Sequence, residues 1–303
     1  MAEARQGQGA GSGGGTADPG LRLLLDRLAP APRLAIADVG ANPLTPPPYA
    51  GLLAAGGCTV FGFEPQAEAF AALPQTETER YLPVAVGDGS EIALNIYASS
   101  GMTSVFRPDL AAMDWLGKRK RWGTVLRTVQ VPTVRLDDVA GLEAIDLLKI
   151  DIQGGERAVI ENGPRLLSGA SAVITELRYY PLYEGEPMLH GVDAVLRAQG
   201  FVLHRFLPMS ARALPNSQSS RLNLPRMRDQ LVDGDAVYIR DPARGLTDRQ
   251  LVALALLAAG VFGSHTLVLN CLDRLVQRGL APAELPSAYV DLLPARLRSE
   301  GGT

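Results

Sequence analysis

The chain has 303 residues, 47% of them hydrophobic, with 29 basic and 32 acidic side chains and a formal net charge of −3. That size and apolar content suit one large α/β domain with an appendage, or two small domains, and the balanced charge provides no global field for nucleic acid or an anionic membrane. Cys58 and Cys271 stand far apart in apolar contexts, and His190, His204 and His265 are scattered; this excludes a zinc-ligand spacing and reads as two buried free thiols in a reducing compartment.

In chain order, residues 1–20 are glycine-rich and lack the apolar core of a signal peptide, so a disordered tail is expected. The longest apolar run, Leu251 to Gly263, is shorter than the roughly 20 residues a bilayer span takes. No membrane span and a cytoplasmic location are therefore expected. Short apolar runs predict strands at Leu34–Val39, Thr59–Phe63, Tyr81–Val86, Leu147–Ile152, Ala172–Leu177, Phe201–Phe206 and Ala236–Ile239. Helical patterns fill Pro48–Ala55, Ala67–Leu73, Glu156–Leu167 and Val192–Gln199. Strands alternating with helices imply right-handed crossovers and an α/β fold with a mostly parallel seven-stranded sheet flanked by helices. Residues 89–144 form an insertion, with "EIALNIYAS" alternating like an edge strand or hairpin and "RTVQVPTVRL" reading as another strand. Beyond Tyr238, Thr247 and Asp248 are N-cap candidates, Gly263 is a break, and apolar periodicity on both sides predicts a helical hairpin packed on the sheet domain. The expected organisation is a tail over 1–20, a sheet domain over 21–243 and a helical C-terminal extension over 244–303.

Open parallel sheets bind ligands beyond the carboxyl ends of their strands, where strand order reverses. Four acids stand at expected strand ends: Asp38, Glu64, Asp88 and Asp151. A carboxylate after the second strand suits the vicinal hydroxyls of a ribose. The first turn, "GANPLT", lacks the later glycines of a dinucleotide fingerprint, and Asp38 would repel a phosphate. Both features favour a phosphate-free nucleoside bearing a cation. S-adenosylmethionine, with its sulfonium and an ammonium that can pair with a carboxylate, fits.

The motifs "DVGAN" (38–42), "GFEP" (62–65), "AVGD" (85–88), "TVRLDD" (133–138), "LLKIDIQGGE" (147–156) and "VITEL" (173–177) occur in an order that resembles the FkbM-type methyltransferases, over roughly residues 34–240. The resemblance implies a class I methyltransferase fold (Rossmann-like), S-adenosylmethionine as donor and a hydroxyl oxygen of a small molecule, sugar or glycan as acceptor. It implies that Asp38, Gly40 and Asn42 lie by the methionine moiety, that Glu64 with Pro65 holds the ribose, and that Gly87 and Asp88 contact the adenine end. It further implies that Asp151 sits near the methyl group, with Glu156 beside it, and that Ser104 approaches donor or acceptor. The chain departs from the family after "GAN", where Pro43 and Leu44 replace the usual small-residue turn. It departs again where Ile152 and Gln153 stand in place of valine and glutamate.

An aliphatic hydroxyl needs a base as it attacks. Asp151 and Glu176, at neighbouring strand ends, are the candidates. Paired carboxylates also resemble the magnesium site of catechol-type methyltransferases, but Leu177 replaces the asparagine that completes it, so a divalent metal is disfavoured and no ligand is assigned. Trp115 and Trp122 flank a basic run from Lys118 to Arg121, and Tyr179, Tyr180 and Tyr183 follow Glu176; Trp115, Trp122, Tyr179 and Tyr183 are the acceptor-binding candidates. Two rival functions are a nicotinamide-dependent oxidoreductase and a catalytically weak, methyltransferase-like scaffold that binds a partner. A homo-oligomer stays open.

Overall fold

The structure, a computed structural model, describes residues 18–28, 33–42, 45–117 and 120–299. The expected tail up to residue 17, Pro43 and Leu44 of the proline turn, and Lys118 of the basic run lie outside them. The strands are β1 (Leu34–Val39), β2 (Cys58–Phe63), β3 (Glu79–Leu82), β4 (Ala85–Gly87), β5 (Glu91–Tyr97), β6 (Val125–Arg135), β7 (Leu147–Ile150), β8 (Ala172–Arg178), β9 (Phe201–Arg212) and β10 (Gln230–Arg240). The helices are α1 (Pro19–Arg27), α2 (Ala50–Ala54), α3 (Ala67–Ala71), α4 (Leu110–Trp115), α5 (Glu156–Glu161), α6 (Pro164–Gly169), α7 (Leu189–Ala198), α8 (Asp248–Leu257), α9 (His265–Gln277) and α10 (Leu285–Asp291).

Seven strands form one sheet in the order β3-β2-β1-β7-β8-β10-β9. The first five are parallel, and β10 runs antiparallel to both β8 and β9. The chain steps outward from β1 to β3 and then returns to lay β7 against β1. That reversal opens a crevice at the carboxyl ends of β1 and β7, the usual place for a ligand in such a sheet. The side-chain period of two sorts the core. Leu34, Ile36, Val60, Leu147, Ile174 and Val237 face a layer built from α1, α2, α8 and α9. Ala37, Val39, Phe63, Leu148, Ile150, Val173 and Leu177 face α5, α6 and α7.

Proline accounts for two departures from the sequence expectation. The strand expected over Tyr81–Val86 stops at Leu82, and Pro83, which has no N–H for the ladder, hands the chain to a second sheet of order β4-β6-β5. Asp88 therefore does not end a strand of the central sheet. The helix expected over Glu156–Leu167 splits after Asn162, because Pro164 fits only the first turn of a new helix. β9 and β10 run well past their expected ends as a long antiparallel hairpin with irregular register. α1, α4 and α10 were not legible as helices.

Thr247 caps α8 through a capping box: its Oγ1 accepts from Gln250 N at 3.2 Å, and Gln250 Oε1 accepts from Thr247 N at 3.1 Å. Asp248 pairs instead with Arg278 beyond α9, at 2.7 Å. Thr247→Ala should lower stability by about 1 kcal/mol in urea or thermal unfolding.

Candidate active site

Asp38 is the penultimate residue of β1, and its cross-strand partner on β7 is Lys149. The Lys149 ammonium lies 3.1 Å from Asp38 Oδ1 and donates to the Gly40 carbonyl at 3.4 Å. Tyr49, just ahead of α2, donates its hydroxyl to Asp38 Oδ2 at 2.6 Å. Burial disfavours the Lys149 ammonium, but the charges of Asp38, Asp151 and Asp235 outweigh it and raise the pKa. Asp38 is thus engaged at both oxygens. Gly40 turns the chain at φ +82°, and a Cβ there would stand 2.2 Å from the Asp151 carbonyl oxygen, so the turns after β1 and β7 meet backbone to backbone. Half-buried Asn42 continues that turn, its N–H reaching Gly40 O at 2.8 Å.

Glu64 follows β2, is buried, and accepts from Gln66 N at 2.8 Å. Burial raises its carboxyl pKa. A cavity of about 140 Å³ lies beside it, lined mostly by carbon from Val39, Gly40, Phe63, Pro65, Val86, Gly87, Ile92 and Ile152, with Asp88 at one side. Asp88 itself is exposed and accepts from Ser90 N at 2.9 Å and Ser90 Oγ at 2.6 Å, bonds that lower its pKa.

Across the crevice, Gln153 occupies φ +59°, the left-handed region that a side chain rarely adopts. Its amide Nε2 donates to Asp151 Oδ1 at 3.1 Å and to Glu176 Oε2 at 2.8 Å. Its Oε1 accepts from Arg178 Nη2 and Tyr183 Oη, both at 3.3 Å, and its carbonyl accepts from Ser104 Oγ at 2.6 Å. Asp151 is half-buried, whereas Glu176 is buried and also receives Arg178 Nη2 at 3.0 Å. Burial drives the Glu176 pKa well above the ordinary carboxylate range, against the pull of Arg178. Glu156 is turned into its own loop, accepting from Ile152 N at 3.0 Å and Gly154 N at 2.9 Å.

The aromatic candidates separate. Trp115 is 46% exposed and stacks on Tyr180, ring centroids 4.9 Å apart and 18° from parallel. Trp122 and Tyr180 pack, partly buried, against a small core of Tyr97, Met102, Met113, Leu116, Leu182 and Tyr183. Tyr183 is buried, and its one hydroxyl hydrogen is shared between Met102 O at 3.0 Å and Gln153 Oε1 at 3.3 Å. Tyr179 packs instead against the core under α5, α6 and α7, edge-on to Phe206. Its hydroxyl is buried with no hydrogen-bond partner among the described residues, and burial pushes its pKa up to about 12. Ser104, fully buried, also accepts from Phe106 N at 3.0 Å, so it ties the insertion to the β7 loop. Sequence reasoning gave no role to Lys149, Tyr49, Arg178 or Glu186. The rarity of lysine and an arginine two residues past Glu176 were the available signals.

Gln153→Ala keeps the left-handed backbone and removes donors from two acids, and it should cost about 2–3 kcal/mol of unfolding free energy. Gln153→Gly loses the same amide but relieves the backbone, and it should recover about 1 kcal/mol of that loss in the same urea titration.

Over residues 38–203 the chain matches the methyltransferase FkbM domain. It is 31% identical over 144 residues to 2-O-methyltransferase NoeI of Sinorhizobium fredii (strain NBRC 101917 / NGR234), a match covering 44% of this chain; the chain spans 59% of the length of that curated relative. Among solved structures, magnesium protoporphyrin IX methyltransferase (ChlM) from Synechocystis PCC 6803, with bound SAM, is 12% identical with a TM-score of 0.35, over 72% of this chain and 74% of that one. A TehB-like SAM-dependent methyltransferase from Corynebacterium glutamicum is 14% identical with a TM-score of 0.32, over 73% of this chain and 88% of that one. By the match of more than half its length, this chain belongs to the FkbM methyltransferase family.

Proposed function

We propose that the protein transfers the methyl group of S-adenosylmethionine to a hydroxyl of a small molecule, sugar or glycan. One observation carries this reading: an apolar slot beside a buried carboxylate opens at the same sheet edge as a half-buried acid, Asp151. The slot formed by Phe63, Pro65, Val86 and Ile92 fits an adenine, Glu64 fits a ribose diol, and the Gly40 turn with Asn42 fits the amino-acid end. Asp38, Asp151, Glu176, Glu186, Asp233 and Asp235 share this edge with two cations, Lys149 and Arg178, an acid excess that suits a ligand of net positive charge.

Bound there, S-adenosylmethionine supplies an electrophilic methyl on a sulfonium. The chain has to align the acceptor with it and hold a proton. Glu176 is buried and holds both Gln153 and Arg178 on Oε2, whereas Asp151 is half-buried and takes the Gln153 amide, so Asp151 is the group assigned to accept the hydroxyl proton. Gln153 places an N–H donor between the two carboxylates, which favours proton transfer over a bridging cation. The exposed Trp115 indole, backed by Tyr180, offers a flat apolar surface for the C–H face of a sugar ring. The 2-O-methyltransferase relative supports a hydroxyl acceptor. A panel of methyl glycosides with labelled donor tests the assignment. Donor binding without turnover on any of them would favour the scaffold reading.

Asp151→Asn should bind donor as the wild type does while turnover falls by about 10²–10⁴-fold. Wild-type turnover should survive a chelator; loss restored by magnesium would instead make Asp151 and Glu176 metal ligands. Glu64→Gln should weaken donor binding by about 1.5–3 kcal/mol, read by calorimetry. Because burial raises the Glu64 pKa, this carboxyl favours the fold below its ordinary value of 4.5, and that contribution is lost as pH rises through the folded-state value. Glu64→Gln should therefore raise Tm at pH 7, with the gain vanishing toward pH 4.

A further inference from the structure

Of the 29 basic side chains only three are lysine, Lys118, Lys120 and Lys149. Lys149 stands inside a strand, opposite the acid of the first turn. The family resemblance implies that Asp38 lies by the donor's methionine moiety, whose ammonium can pair with a carboxylate. The geometry points the other way. The Asp38 side chain is 4% exposed, with Tyr49 at 2.6 Å from one oxygen and Lys149 at 3.1 Å from the other. The Lys149 side chain is 16% exposed, and its ammonium reaches the carbonyl of Gly40, a residue of the cavity wall. Of this pair the cation is the more exposed, and its Gly40 contact sets it next to the cavity wall.

We infer that Lys149 is a donor-recognition residue whose ammonium receives the α-carboxylate of the donor's amino-acid tail. Asp38 is then a positioning residue: with Tyr49 holding its far oxygen, it fixes where the ammonium points and keeps it charged. An ammonium carries donors and no acceptor, so it discriminates sharply between a tail with a carboxylate and one without. This assignment rests on the donor site proposed above. Its rival is that Lys149 only neutralises Asp38 within the fold.

A calorimetric cycle separates the two, using S-adenosylhomocysteine and its decarboxylated analogue, which keeps the amine. Lys149→Met should weaken S-adenosylhomocysteine on the order of 10- to 100-fold and the decarboxylated analogue by less than about threefold. Because Lys149→Met strands a buried Asp38, the double variant Asp38→Asn with Lys149→Met removes both charges and should show the same selective loss while melting as a folded protein. Equal loss for both ligands, or unchanged affinity for S-adenosylhomocysteine in a folded variant, would overturn the assignment to Lys149 alone. A wild-type chain that binds neither ligand would remove the donor site itself, and this inference with it.

Discussion

The carboxyl edge of the sheet depends on one buried guanidinium. Arg178, the last residue of β8, is bonded to Glu176 at 3.0 Å, to Glu186 at 3.1 Å and to Asp233 at 2.7 Å. Removing an arginine from such a group strands several charges out of water, which typically costs about 3–5 kcal/mol per broken buried pair. Its partners come from three segments. Asp233 is its cross-strand neighbour on β10, Glu176 lies two residues back on its own strand, and Glu186 belongs to the loop that follows. Glu186 in turn accepts from the backbone N–H of Tyr183 at 3.0 Å and also from that of Leu182, so one guanidinium fixes the loop behind the exposed Trp115 and Tyr180 pair. A planar fork of five donors serves three carboxylates and the Gln153 amide oxygen at once; the three donors of a lysine could not.

The other end of the edge is set by backbone proximity rather than charge. The turn after β1 touches the turn after β7 at Gly40, where no Cβ fits. α2 and α3, each five residues long, cover little of their face of the sheet. The remaining area is covered by aliphatic side chains of α8 and α9, with α1 and α10 alongside: Leu251, Leu254, Leu257, Val268, Leu272 and Leu275 are all buried in the core that holds Leu34, Ile36 and Val60. The C-terminal helices thus supply packing that the two short helices do not.

Much of this was legible in sequence, and the failures have local causes. The strand pattern gave the central sheet because buried parallel strands read as short apolar runs. Thr247 and Gly263 were legible because caps and left-handed turns have narrow residue preferences. Pro83 and Pro164 were present in the sequence, but each lies inside an apolar run whose period carried the strand or helix across it. The long β9–β10 hairpin was truncated because its outer half is half-exposed and does not alternate cleanly. In the site, the acids were identified by position along strands. Their partners were not, since Arg178, Glu186 and Asp233 meet only through the fold.

Gln153 shows why a departure from a family pattern need not weaken a site. With glutamate at this position, three carboxyl groups would meet at φ +59° beside Arg178, and a single guanidinium would have to satisfy them. The amide changes that balance. Its nitrogen donates to both acids, and its oxygen accepts from Arg178 and Tyr183, so one neutral group links the two strand ends without adding charge. A left-handed backbone at a non-glycine residue persists only where its surroundings over-determine it. Here they do so from three directions: the Ser104 hydroxyl on the carbonyl, the two acids on the amide nitrogen, and the arginine and tyrosine on the amide oxygen. The insertion that carries Ser104 and the strand that carries Glu176 are therefore held to Asp151 through a single residue, and the exposed aromatic surface is tied to the same point through Tyr183.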